Sequence, residues 1–153
     1  MNISYRPANL SDLNELRFIA EIDAAIPPRH DADFIFDEEA IQKQMDFLLK
    51  KVSVEDFFEI AVDDKNTVIG YHLVKKTPYI RNLFAGAVYT LWVSPDYRKK
   101  GIGSTLKRRG ENWARESALD HIYTWINSKN LESISLNEKL GYEITNYKLR
   151  KKI

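Results

Sequence analysis

Cysteine is absent from this 153-residue chain, which excludes a disulfide, a thiolate metal site and a cysteine nucleophile. Histidine is scarce. His30, His72 and His121 are too scattered for a helical or hairpin metal pair, so no metal is expected. Long apolar runs are missing too: none approaches the roughly 18 residues that span a bilayer. Met1–Arg6 leads straight into a short alternating segment, without the apolar stretch of a signal peptide. The expectation is a cytoplasmic protein with no membrane attachment. Nor is one sign of charge in excess, since 23 Lys and Arg face 22 Asp and Glu, a net +1. That gives no general attraction to nucleic acid. Basic residues do gather, at Arg98–Lys100, Lys107–Arg109 and Lys148–Lys152, and such clusters are usually solvated faces.

What is present describes an ordinary single domain over residues 1–153, with 44% hydrophobic and 29% charged residues. Ile3–Arg6 alternates and stops at Pro7, as an edge strand does. Asn9 and Asp12 start a helix with Leu13, Leu16 and Ala20 on one face, which ends before Pro27-Pro28. Residues 27–36 read as an exposed loop. Asp37 caps a second helix with an apolar stripe of Ile41, Met45, Leu48, Leu49 and Val52. Phe57–Val62, Thr67–Val74 and Leu83–Val93 are strand-like, and a helix runs from Gly101 to about Glu116. A strand over His121–Ile126, a helix over Asn130–Leu140 and a last strand over Tyr142–Leu149 complete the order β-α-α-β-β-β-α-β-α-β. The second half implies parallel pairing, the three successive strands antiparallel pairing, and together a mixed α/β sheet with helices on both faces.

The chemistry concentrates in Ala87–Leu106, AVYTLWVSPDYRKKGIGSTL. A β-favouring strand runs to Pro95, a charged turn follows, and a helix opens at Gly101-Ile102-Gly103. Free amides and the positive dipole end at such a start bind phosphate oxygens. Glycine at 101 and 103 lets a pyrophosphate reach the backbone, Arg98, Lys99 and Lys100 add positive charge, and Ser104 adds a hydroxyl. A Walker loop is excluded because Ser104-Thr105 follows Gly103 with no lysine between. A dinucleotide fingerprint is excluded because Leu106 stands where a third small residue is required.

These residues resemble the GNAT superfamily of acyl-CoA-dependent acyltransferases. Its Arg/Gln-x-x-Gly-x-Gly/Ala signature is matched by Arg98-Lys99-Lys100-Gly101-Ile102-Gly103, after the strand pattern Leu91-Trp92-Val93-Ser94-Pro95. Asn130 to Tyr142 (NLESISLNEKLGY) is similar to the family's second signature. The resemblance implies a twisted mixed sheet of about six or seven strands, flanked by four helices. Its parallel strands, here holding Leu91 and Val93 and His121–Ile126, splay to form a CoA cleft. It implies acetyl-CoA as cosubstrate, with pantetheine along Leu91 and Val93 and pyrophosphate on the amides of residues 99–104. Asn130 and Ser133 would meet the pantetheine arm, and a backbone amide near Val93 would hold the acyl carbonyl oxygen.

Asn137 stands where the family usually has a tyrosine that protonates the departing thiolate. An amide is no acid near neutral pH. Three readings follow: release through water, which the modest basicity of a thiolate favours; substitution by Ser135 or a nearby tyrosine; or acyl-CoA binding without transfer. A general base is equally unmarked. His72 is the candidate, although a strand histidine more often satisfies a neighbour, and the same holds for Glu59 and Asp37. The three tryptophans, Trp92, Trp113 and Trp125, are expected to be core or rim packing, and Gly110 to permit close packing of its helix. The activity expected is acetyl transfer from CoA to a primary amine by direct attack. The alternatives are a non-catalytic acyl-CoA-binding module and, less favoured by the charge, a nucleic-acid-binding domain. Asp31 and Asp33 give the acceptor-side loop an acidic character suited to a small-molecule or peptide amine. A monomer or a homodimer is expected.

Overall fold

Short-range signals set the helix ends. The structure, a computed structural model describing residues 2–153, begins with strand β1 (Ser4–Pro7) and helix α1 (Leu13–Ala25). Asp12 caps α1 by accepting from the amides of Asn14 and Glu15, and the Pro27-Pro28 pair prevents its continuation. Asp37 likewise caps α2 (Glu38–Lys51), accepting from Ala40. Strands β2 (Phe57–Val62), β3 (Val68–Pro78) and β4 (Phe84–Val93) follow, then α3 (Ile102–Glu116), β5 (Ile122–Thr124) and α4 (Leu131–Lys139).

The strands form one sheet in the order β1-β2-β3-β4-β5. The first four are antiparallel, and β5 lies parallel to β4. Alternation along β2 and β3, shifted by a bulge at Ile69, divides the apolar side chains between two faces. On one, Leu16 and Ile19 of α1 and Leu48 of α2 meet Ile60, Tyr71 and Leu73. On the other, Ile102 and Leu106 of α3 meet Ala61 and Ile69. Each such large aliphatic group contributes about 1.5–3 kcal/mol by leaving water. Two glycines set how closely α3 approaches. A Cβ on Gly70 would lie 3.2 Å from Ile102, and one on Gly110 would lie 3.2 Å from the His72 ring. Gly110 therefore serves close packing, as its mid-helix position suggests.

Among the described residues the sheet has five strands rather than six or seven. The strand expected over Tyr142–Leu149 is irregular chain, with Ile144, Tyr147 and Leu149 exposed. A strand forms only against an edge that can bond it, and β5 offers 3 residues. The Tyr142 amide instead bonds back to the Asn137 carbonyl and closes α4. Leu49 and Trp125 also face solvent. Leu49 stands one residue, a 100° turn, beyond Leu48 and so off the buried stripe, while Trp125 follows the end of β5. Among the described residues no helix is long and apolar enough to cross a membrane.

Candidate active site

Strands β4 and β5 separate. They pair only at Gly86–Ile122, Ala87–Tyr123 and Val88–Thr124, after which β5 stops and β4 continues to Val93. The parting coincides with a bulge: Leu73 pairs with Thr90 and Val74 with Val88, leaving Tyr89 as the extra residue. From Tyr89 to Val93, β4 has β3 on one side and, among the described residues, no strand on the other. This edge, with Leu91 and Val93 half-buried along it, can receive an extended ligand as an added strand.

The end of β4 delivers the chain to the α3 N-terminus. Arg98 donates from Nε to the Val93 carbonyl at 3.2 Å, which ties the basic turn to the strand. Lys99 and Gly101 both have left-handed backbone, φ 60° and 81°, so successive amides turn toward a common centre as in an anion-binding nest. No side chain caps α3. Thr105 is the first amide bonded to its helix, at 2.9 Å to Gly101. The preceding amides are left for a ligand. A Cβ at Gly101 would meet nothing within 4 Å, and one at Gly103 would meet only Val93 at 3.6 Å, so the space above this turn is open. Lys99 and Lys100 are exposed and Ser104 is half-buried. The Ile102 side chain is buried in the core, so only its amide faces this space. Asn130 and Ser133 lie at the start of α4, which follows β5 in the chain. Asn130 Oδ1 caps that helix by accepting from the Ser133 amide at 3.2 Å, which leaves its Nδ2 to donate.

The titratable groups divide between the two faces of β4. On the α3 face, His72 is 1% exposed, and its Nδ1–H donates to the Thr90 carbonyl at 2.8 Å. Its Nε2 abuts Gly110, and burial lowers its pKa to about 4. A neutral ring so enclosed is a structural partner of the bulge. The folded pKa lies below the ordinary 6.5, so the unfolded chain takes up a proton first as the solution acidifies. Between pH 7 and pH 4 the wild type should lose about 3 kcal/mol of stability relative to His72→Gln. Urea unfolding at the two pH values measures it, and parallel loss in both proteins would contradict a neutral buried ring.

On the opposite face, α1 sends Asp23 to the same bulge, a residue the sequence reading missed. Its Oδ1 accepts from Tyr71 Oη and from Thr90 Oγ1, each at 2.9 Å. Oδ2 has no such bond among the described residues. Burial raises the Asp23 pKa to about 6, against the lowering by those two bonds. The signal was there, because Leu16, Ala20 and Asp23 share one helical stripe, and a carboxylate in a buried stripe requires a partner.

Asn137 is 6% exposed and donates from Nδ2 to the Ser133 carbonyl at 2.7 Å. That bond turns its Oδ1 to Lys107 Nζ, 2.6 Å away. Ser135 is exposed, on another side of α4. Glu59 pairs with Arg109, and Asp37 caps α2. Asp31 and Asp33 lie outside this constellation. Arg150 bonds Asp31 at 2.7 Å and approaches Asp33 at 3.4 Å, with Lys152 at 3.6 Å from Asp33. A groove of about 220 Å³ does open between α1 and the end of β4, lined by Phe18, Glu21, Ile22, Arg29, Trp92 and Pro95 among others.

Comparison with known proteins agrees with this architecture. The family model described as Acetyltransferase (GNAT) family matches residues 16–142. A mycothiol acetyltransferase of Saccharomonospora viridis is 29% identical over 118 residues, which cover 71% of this chain and 39% of that protein. The chain thus spans well under half the length of the curated relatives it matches. Among solved structures, a putative acetyl transferase from Pyrococcus furiosus superposes with a TM-score of 0.79 at 20% identity, covering 99% of this chain and 100% of that one. An aminoglycoside 6'-N-acetyltransferase from Acinetobacter baumannii gives a TM-score of 0.72 at 17% identity, covering 99% and 98%.

Proposed function

The chain belongs to the acetyltransferase (GNAT) family, and from that premise we propose that it transfers an acetyl group from CoA to the primary amine of a small molecule. The observation that carries this reading is the parting of β4 from β5 beyond Val88, directly below the uncapped start of α3. One continuous stretch of chain thereby offers an edge for an extended pantetheine arm and a cradle for its pyrophosphate.

In this reading the amides of residues 99–104 hold the pyrophosphate, with Arg98, Lys99, Lys100 and the Ser104 hydroxyl around it. The backbone of Leu91 and Val93 aligns the arm, and Asn130 Nδ2 and Ser133 approach it from α4. The Val93 amide donates to the acyl carbonyl oxygen, where negative charge develops during attack. The acceptor comes from the α1 face. It arrives as an ammonium and must lose a proton before its nitrogen can attack. Asp23, a carboxylate at neutral pH with its pKa near 6, takes that proton on Oδ2 while Tyr71 and Thr90 hold Oδ1. His72 supports the bulge from behind. Because Asp31 and Asp33 are paired with the C-terminal cations, and Glu21 in the groove with Arg17, the acidic attraction for the amine passes to Asp23. The relatives named for acetyl transfer to mycothiol and to aminoglycosides support a small-molecule acceptor.

Acetyl-CoA should stabilise the native protein by about 2.7 kcal/mol at roughly 100 times its dissociation constant. A panel of amines should then release free thiol. An unchanged melting temperature at millimolar acetyl-CoA would remove the reading. Stabilisation without thiol release from any amine would reduce the protein to a binding module.

A further inference from the structure

Lys107 is a charged side chain only 2% exposed that bonds no carboxylate among the described residues. Its Nζ donates to Asn137 Oδ1 at 2.6 Å and lies 4.0 Å from the centre of the Tyr142 ring. Burying an ammonium with neutral company is costly, and an aliphatic side chain of similar length would serve the core better. Its position suggests what it is for. Gly103, one turn before it, packs on Val93. Gly110, nearly one turn after it, packs on His72, which pairs with Leu91. Lys107 is therefore level with Leu91–Val93, the stretch where β4 has lost β5. Its ammonium joins α3, which packs on β3 and β4, to Asn137 of α4, at the level of that unpaired stretch.

Resting on the acetyl-transfer reading above, we propose that Lys107 is the proton donor to the departing CoA sulfur, the role that Asn137 has no proton to fill. Asn137 instead orients the donor, held by its own bond to the Ser133 carbonyl. When the tetrahedral adduct collapses, its C–S bond breaks and the electron pair passes to sulfur. One proton moves from Nζ to that sulfur, directly or through one water. The attacking nitrogen, cationic in the adduct, gives up its second proton to water, so the products are the amide, CoA thiol and a neutral lysine that regains one proton through that water. The groups facing Nζ suit this cycle. Burial brings Lys107 down to about 8, against the raising by Glu111 on α3. His72 on β3 is neutral, and the Tyr142 hydroxyl, raised to about 12 by burial, is the poorer acid. An ammonium near 8 matches a thiol of about 8.5, so the transfer is nearly balanced in energy.

The test combines Lys107→Met and Lys107→Arg with direct titration of the wild-type lysine. Both variants should bind CoA as the wild type does, with kcat lowered about 100-fold. The arginine variant is slow because its guanidinium keeps its proton. In the wild type, kcat should fall on an alkaline limb near pH 8, and this limb should vanish in Lys107→Met. Carbon-13 NMR of the Lys107 Cε in the native protein without ligand should titrate at the same midpoint. Wild-type kcat and an unaltered limb in Lys107→Met would overturn the proposal, and so would an NMR midpoint near the ordinary 10.4. Failure of the acetyl-transfer reading would look different, because the wild type itself would then neither bind CoA nor release thiol.

Discussion

A Gly103→Asp protein is expected to fold as the wild type does and to bind no measurable CoA. Sterically the change is mild, since the new Cβ would meet only Val93, at 3.6 Å. Energetically the fold benefits slightly: a carboxylate in the first turn of a helix gains about 0.3–1 kcal/mol from the dipole and the free amides. The same carboxylate occupies the place reserved for a phosphate and repels it. Two like charges about 4 Å apart near a protein surface cost about 4 kcal/mol, close to a thousandfold in affinity. Gly103→Ala is the control, because its methyl group fits and carries no charge. Calorimetric titration with CoA and a thermal melt read both halves of the prediction. Normal affinity in a folded G103D would show that the pyrophosphate lies elsewhere.

The second large effect belongs to Asp23. Asp23→Asn keeps Oδ1, and with it the bonds from Tyr71 and Thr90, and exchanges the basic Oδ2 for an amide nitrogen. CoA binding should be unchanged, kcat should fall by about 100-fold or more, and the acidic limb of the rate profile near pH 6 should disappear. Stability should move the other way. The folded pKa of about 6 is above the ordinary 3.8, so the unfolded chain ionises first and the wild type loses stability as pH rises between those values. The asparagine protein escapes that loss. At pH 8 it should gain up to about 3 kcal/mol over the wild type, relative to the difference between them below pH 4. A variant that is slower and more stable marks a group retained for chemistry. Wild-type kcat in Asp23→Asn would reduce Asp23 to a staple between α1 and β4.

Features legible in the sequence were those written in neighbouring residues. Asp12 and Asp37 announce helix starts because a capping bond spans only a few positions. The proposed phosphate cradle reads from Leu91 to Gly103 because its strand, turn and helix start are contiguous. The last strand was misread for the opposite reason. The alternation after Tyr142 is real, but whether it becomes a strand depends on β5, whose 3 residues offer too little edge.

The residues given chemical roles at the reacting centre show the same division. The sequence by itself determined the proposed cofactor side: one segment carries the amides, the glycines and the charge, and their geometry follows from local backbone rules. Only the tertiary structure points to the proposed acid and base. Asp23 meets Thr90 across 67 positions, and Lys107 meets Asn137 across 30. As isolated residues, one is an ordinary helix aspartate and the other belongs to a basic cluster. Burial gives each an altered proton affinity, and burial depends on which helix packs on which face of β4. Local sequence can specify a phosphate cradle, but the proton affinity of a buried side chain is set by groups brought to it from elsewhere in the chain.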